Sequence, residues 1–424
     1  MQNIREKIAL FFTDKALLRR AAFLLGILLL FRVLSAIPVP GVDVVALENL
    51  LAQSQFLGLL SIFSGGGLTT LSIMLLGVGP YITGSIIMQL MTIIFPKLKE
   101  MYQEEGEAGR VKFAQYGRLI TLPLAVLQGV AFLVLLTRQG ILPQLSPFDF
   151  AVNVLVVTAG SMLLMWLGEL ISEFGIGNGV SVIIFAGIVA ALPRTVSQLA
   201  FTYDVTQLPT YIAVLAAGLA VVAGVVYVTE AERPVPVTYA KQVRGLRVMG
   251  GGSTYLPLRL NQAGVIPIIF ALSILLLPQM IVGLLLSSSS LIQYAGTFNT
   301  ILTYMNNQWV YGISYFVLVV LFTYFYTAVT FDPNRMAENL QRNGAFIPGV
   351  RPGNSTSEYL GRVITRITLP GSLFLGAIAV LPIAMQGLTG TQSLAVGGTG
   401  LLIVVSVVLD LVRRIDAQLS IREY

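Results

Sequence analysis

The chain has 424 residues, 55% of them hydrophobic and 11% charged, against about 25% charged in ordinary soluble domains. Mean hydropathy is +0.82 and the formal net charge is +6. Cysteine and histidine are both absent, which excludes a disulfide framework, thiol chemistry and the commonest general base and metal ligand.

Apolar runs recur along the whole length, and a helical span needs roughly 20 such residues. Hydrocarbon gives the backbone no hydrogen-bond partner, so helices are expected. The alternating segments of a membrane barrel are missing. The predicted spans cover 21–37, 73–95, 119–136, 152–170, 179–192, 211–228, 263–286, 309–329, 367–386 and 399–412. The expected fold is an all-α integral membrane protein of about ten transmembrane helices.

The cations orient it. Arg5, Lys7, Lys15, Arg19 and Arg20 precede the first span. Lys97, Lys99, Arg110, Lys112 and Arg118 follow the second. Arg233, Lys241, Arg244, Arg247 and Arg259 follow the sixth, and Arg335, Arg342, Arg351, Arg362 and Arg366 the eighth. Arg413, Arg414 and Arg422 close the chain. Of the 26 Lys and Arg residues, only Arg32, Arg138 and Arg194 fall elsewhere. Cytoplasmic loops are the cation-rich ones, so both termini are expected in the cytoplasm. The positive charge also favours contact with anionic lipids. Arg32, inside span one, reads as a snorkelling side chain. Glu169 and Asp410 lie near cytoplasmic helix ends, within reach of water or cations. Residues 1–20 read as an amphipathic basic stretch along the membrane surface.

Three connections exceed simple turns. Segment 35–72 contains an apolar, uncharged run that ends in Phe63-Ser64-Gly65-Gly66-Gly67. It reads either as a re-entrant half-helix or as an interfacial helix. Loop 231–262 alternates Val235, Val237 and Tyr239 with Pro236 and Thr238, and Tyr255, Leu256 and Leu258 recur after three glycines. Two strands with a basic tip are expected. Loop 331–366 centres on a Pro- and Gly-rich turn that presents Arg351. Either loop also reads as a solvated loop that only sets topology. An even split of the spans gives two halves, 1–205 and 206–424, with odd span counts and therefore opposite orientation. An unrepeated bundle of the same helices fits the span count as well.

Across nearly the whole length, Ile37-Pro38-Val39-Pro40-Gly41, Phe63-Ser64-Gly65-Gly66, Gly79-Pro80-Tyr81-Ile82, Ser85-Ile86-Ile87-Met88-Gln89-Leu90 and Gly175-Ile176-Gly177-Asn178-Gly179 occur in order. Leu256-Pro257-Leu258 with Asn261, Ala263-Gly264-Val265-Ile266-Pro267, Gly344-Ala345-Phe346-Ile347-Pro348-Gly349 with Arg351-Pro352-Gly353, and Gly397-Gly398-Thr399 complete the series. Together these stretches resemble the SecY family, the channel subunits of the bacterial Sec translocase. The resemblance implies a clamshell of two inverted five-helix halves around a central pore in the cell (inner) membrane. It implies passage of unfolded secretory preproteins bearing signal sequences, and lateral release of transmembrane segments. It implies SecE, SecG, and either the SecA ATPase or a translating ribosome as partners, with no cofactor, metal or catalytic residue.

Ile82 and Ile86 share a helical face, as do Ile184 and Ile188. By resemblance these join Ile269 and Ile403 in an apolar pore ring. Phe63, Ser64, Gly65, Gly66 and Gly67 fall in a plug spanning 56–70. Ile87, Gln89, Thr92, Gln128, Asn261 and Leu277 fall at a lateral gate; for Gln128, plain interhelical adhesion is the favoured alternative. Lys241, Arg244, Arg247 and Arg351 are motor- or ribosome-docking residues.

Two other functions compete. A secondary transporter of small solutes also uses inverted repeats, but it ordinarily carries ionisable residues at the membrane midplane. No clear example stands here. An intramembrane enzyme lacks its usual groups in a chain without His, Cys or a midplane carboxylate pair.

Overall fold

The computed structural model describes residues 13–39, 71–138, 142–143, 145–201, 208–239, 242–244, 247–249, 252–287, 300, 303, 307–389 and 392–420. The plug segment 56–70, residues 1–12 and the joint at 202–207 lie outside the described residues. In chain order the helices are α1 (Lys15–Ser35), α2 (Gly79–Ile94), α3 (Pro96–Gln103), α4 (Gly106–Arg138), α5 (Pro147–Phe174), α6 (Gly179–Phe201), α7 (Leu208–Glu230), α8 (Ile266–Ser287), α9 (Gln308–Thr330), α10 (Pro333–Arg342), α11 (Asn354–Thr389) and α12 (Gln392–Ser420). The strands are β1 (Glu232–Tyr239), β2 (Gln242–Arg244), β3 (Arg247–Met249), β4 (Ser253–Arg259) and β5 (Ala345–Phe346).

Every predicted span falls on a helix: α1, α2, α4 to α9, α11 and α12. Among the described residues, α4, α5, α9 and α11 hold stretches long and apolar enough to cross a membrane, and the bent pair α2–α3 is a further candidate. Leu25, Leu29, Leu30 and Val33 on α1 are exposed, as are Leu119, Leu122 and Leu127 on α4. Apolar surface of that extent needs hydrocarbon around it.

Local chemistry sets the helix ends. Asp14 caps α1, its Oδ1 accepting from the Ala16 and Leu17 amides at 2.9 and 3.5 Å. The stretch from Lys15 to Arg20 runs straight into the span-one helix, so it does not lie apart along the surface as the sequence suggested. Pro96 has no N–H and drives Phe95 out of the helical region, to φ −112° and ψ 106°. The chain turns there by 112° from α2 into α3. Asp332 caps α10, with Pro333 at its first position.

The second span starts later than predicted. Residues 71–78 form consecutive turns, and α2 begins at Gly79. Gly77 has φ +59° and Leu71 φ +42°, which breaks the helical pattern. Leu71, Ser72, Met74, Leu75 and Val78 are all buried. The backbone here finds partners across the fold. Val39 N donates to Leu71 O at 2.7 Å and Ile73 N to Ile37 O at 3.0 Å. Ser161 Oγ on α5 donates to Gly77 O at 2.9 Å.

The chain divides into two compact units. One comprises Met1–Gly218, Leu272–Tyr311 and Pro382–Tyr424. Its helices meet through small residues. Gly84 of α2 faces Thr121 and Gly117 of α4, and Gly168 of α5 backs onto the start of α6 at Gly179 and Val180. Arg118 and Glu169 pair at 2.7 Å between α4 and α5. Asp410 pairs with Arg414 at 2.8 Å along α12. Both carboxylates thus meet a cation, as the sequence suggested.

The other unit comprises Leu219–Ala271 and Gly312–Leu381. Here β1 and β4 pair antiparallel, with Val235 opposite Leu256 and Pro236 opposite Tyr255. This matches the two expected strands. On its other side β1 meets β5, with Thr238 opposite Phe346 and Tyr239 opposite Ala345. The three-stranded order is β4-β1-β5. Pro234 and Pro236 lie beyond the reach of β5, where a missing N–H blocks recruitment of a further strand.

One substitution tests the close packing. A Cβ on Gly160 of α5 would collide with Ile73 O, whereas one on Gly26 of α1 would meet nothing within 4 Å. Gly160→Ala should therefore cost on the order of 1–3 kcal/mol, read as a lower unfolding temperature of the purified protein. Gly26→Ala should leave it unchanged. Equal melting of the two variants would refute the contact.

Candidate functional site

The six ring isoleucines come from four helices: Ile82 and Ile86 on α2, Ile184 and Ile188 on α6, Ile269 on α8 and Ile403 on α12. An isolated Ile in a membrane helix ordinarily faces lipid or a neighbouring helix, and five of these six are buried. Ile82, Ile86, Ile184, Ile269 and Ile403 are at most 5% exposed, and Ile188 is half-buried.

Within the first unit α6 packs on α12. Gly400 stands opposite Ile188, and a Cβ there would sit 3.1 Å from Ile188 Cγ2. Ile403 lies about one turn further along the same helix. The structure therefore brings Ile184, Ile188 and Ile403 to one helix pair. Ile82 and Ile86 sit on the buried side of α2, and Ile269 belongs to the other unit.

The turn that launches α6 is built by its own sequence. Gly177 has φ +89°, a conformation that glycine takes without strain. Asn178 Oδ1 caps the helix, accepting from the Val180 and Ser181 amides at 3.1 and 3.3 Å. Gly179 N donates to Ser172 Oγ at 2.8 Å. A Cβ on Gly179 would strike Gly168 O. This motif fixes where Ile184 and Ile188 point.

The gate residues occupy different settings. Thr92 is buried and donates to Gln89 O at 2.6 Å. The Gln89 and Asn261 side-chain oxygens are buried without a hydrogen-bond partner among the described residues. Asn261 Nδ2 donates to Gly264 O at 3.2 Å. Gln128 is buried beside the start of α2, its Oε1 3.9 Å from where a Gly79 Cβ would stand. Gln128 on α4 and Gly79 of α2 belong to the same unit. Ile87 and Leu277 are half-buried, on α2 and α8.

Of the docking residues, Lys241 lies outside the described residues. Arg244 and Arg247 are partners in the antiparallel β2–β3 register. Arg351 is exposed. Gly349 and Gly353, at φ +82° and +97°, bracket it, and Thr356 Oγ1 donates to Arg351 O at 3.0 Å.

Sequence reasoning missed one arrangement. It treated loops 231–262 and 331–366 separately. The structure joins them by the β1–β5 pairing over a shared apolar core that includes Val235, Val237, Leu258, Ala345, Ile347 and Leu360. The alternation of Val235 and Val237 signalled a buried face. Nothing local identified its partner.

Comparison with known proteins now decides the family. Residues 72–412 match the SecY family model. The chain is 43% identical to the protein translocase subunit SecY of Mycobacterium bovis, over 96% of each sequence. It is 41% identical to that of Corynebacterium glutamicum, over 97% of each. The chain belongs to the SecY family. It is a protein-translocation channel of the membrane, and its family is one of channels rather than of enzymes or solute carriers. In fold it is similar to a structure reported as that of a protein conducting channel, with a TM-score of 0.67 and 21% identity over 95% of this chain and 92% of that one. It is similar also to a SecY structure reported for its plug domain, with a TM-score of 0.63 and 19% identity over 95% and 92%. The Gly175–Gly179 turn has a structural reason of its own in the positive φ of Gly177 and the Asn178 cap.

The α6–α12 contact can be checked in this cysteine-free chain. Ile188→Cys with Gly400→Cys should form a disulfide readily on oxidation, seen as a mobility shift that reductant reverses. No crosslink under conditions that oxidise a control pair would contradict the packing.

Proposed function

We propose that this channel carries unfolded secretory preproteins across the bacterial inner membrane and releases transmembrane segments sideways into lipid. What supports the reading is the family match together with the burial of five of the six ring isoleucines, which come from four helices. A constriction of branched apolar side chains dewets and blocks ions, yet offers a passing chain no fixed partner.

In this reading residues 1–205 and 206–424 are the two halves of a clamshell, and segment 56–70 seals the outer side of the ring. The gate lies between α2 and α8, with Ile87, Gln89, Thr92, Asn261 and Leu277 along the seam. Polar pairs between membrane helices contribute about 0.6–2 kcal/mol each, so a signal sequence can compete with them. The Gln89 and Asn261 oxygens, without a partner among the described residues, suit a seam that exchanges partners. Both termini face the cytoplasm, supported by the cation distribution. SecE holds the hinge, SecG associates, and anionic lipids contact the basic cytoplasmic side. SecA or a translating ribosome docks on Lys241, Arg244, Arg247 and Arg351.

Two experiments test this. Replacing Ile82, Ile86, Ile184, Ile188, Ile269 and Ile403 together with polar residues should let small ions leak through the resting channel in planar bilayers. Unchanged conductance would remove these residues from the pore. Separately, a short cysteine staple between positions 87 and 277 should stop signal-sequence entry and release of membrane segments until it is reduced. Full translocation with the staple formed would move the gate elsewhere.

A further inference from the structure

We infer that Ser161 on α5 is a positioning residue for the pore ring: its hydroxyl, held on Gly77 O, sets the rotation of α2 and so the direction in which Ile82 and Ile86 point. The inference rests on the ring reading above. Its own basis is the way α2 starts. The N-cap residue Val78 has no side chain able to cap, and Pro80 brings no N–H. The approach runs through turns, in which Leu75 N donates to Ser72 O and Gly77 N to Met74 O, both at 2.9 Å, and Met74 N to Ser72 Oγ at 3.2 Å. Bonding into the helix begins at Val78, whose carbonyl accepts from Ile82 N at 3.0 Å. The carbonyl before it, Gly77 O, accepts instead from Ser161 Oγ at 2.9 Å.

A helical hydroxyl ordinarily returns to a carbonyl on its own helix, as Thr137 does to Leu133 O and Thr323 to Val319 O. Ser161 reaches across to another segment. The site is dry: Ser161, Ser72, Met74 and Val78 are all fully buried, and a buried carbonyl without a donor is costly. The residue before it completes the arrangement. A Cβ on Gly160 would collide with Ile73 O, so Gly160 admits the approaching backbone and Ser161 bonds it. The consequence for the ring is geometric. An α-helix turns by about 100° per residue, so a fixed Gly77 fixes the direction of every side chain that follows. Gly84 and Met88 face Thr121 and Gly117 of α4. Ile82 and Ile86 stand two residues before each, on nearly the opposite side of the helix. The contact at Gly84 has no side chain to resist turning, and the Ser161 bond supplies that restraint.

The test compares Ser161→Ala, which removes the hydroxyl, with Ser161→Thr, which keeps it, in the full channel. The first readout is the rotation of α2. Met88→Cys with Gly117→Cys should crosslink on oxidation in preference to Ile87→Cys or Gln89→Cys with Gly117→Cys. Ser161→Ala should shift the yield toward one of those neighbouring pairs by about fivefold, the population change that loss of one buried hydrogen bond brings. Ser161→Thr should leave the preference at position 88. The second readout is resting ion conductance in planar bilayers, which should rise by a similar factor in Ser161→Ala and not in Ser161→Thr. Thr137→Val, which removes a hydroxyl bonded to its own helix, is the control and should change neither. Identical crosslinking in the Ala and Thr variants, shifted or unshifted, would overturn the inference whatever the conductance. A shifted crosslink with no leak would show that Ser161 sets α2 but that Ile82 and Ile86 do not seal the pore, so the ring reading would fail instead.

Discussion

Hydrocarbon cannot hydrogen-bond a peptide group, and the architecture follows from that constraint. It forces the apolar runs into helices and sets where irregular backbone is tolerated. Residues 71–78 are the informative exception. They are not helical, yet they are buried and hydrogen-bonded to the strand-like stretch at Ile37 and Val39 and to Ser161 on α5. Such backbone is permitted where protein replaces water. Both ends of the segment that follows the first span are thereby held together at Pro38 and Ser72.

Close packing does the remaining work inside the first unit. Lipid is as apolar as leucine, so helices in a membrane gain from tight contact and from hydrogen bonds rather than from apolar burial. The glycines at 160 and 179 stand where neighbouring backbone leaves no room for a side chain, and those at 84 and 168 where side chains of the next helix leave little. Their placement positions α2 and α6, and with them four of the ring isoleucines. In the second unit, outside the spans, ordinary hydrophobic burial returns and ties β1, β4 and β5 to the start of α11.

Much of this was legible in the sequence. Each span was visible as an apolar run, and the strands showed in the alternation of Val235, Val237, Leu256 and Leu258. Helical spacing paired Ile82 with Ile86 and Ile184 with Ile188. It could not say which face turned inward, and family resemblance chose these residues from many others. Three features were hidden. The break before α2 depends on Leu71 and Gly77 conformations that a hydropathy pattern does not encode. The extension of α4 back to Gly106 and of α11 back to Asn354 was masked by charges, which read as loop although they sit on helices. The pairing of β5 with β1 joins residues far apart in the chain, and a two-residue strand carries no periodicity of its own.

Membership of the SecY family, isoleucines buried on four helices and cation-rich loops suit a passage for an extended polymer better than a pocket for a solute. The most direct measurement puts the purified channel with its partners in proteoliposomes. It follows SecA-driven import of an unfolded preprotein beside uptake of small solutes. The account predicts import that needs ATP and a functional signal sequence, with no solute uptake in the resting state. Gradient-driven solute accumulation without preprotein import would contradict it.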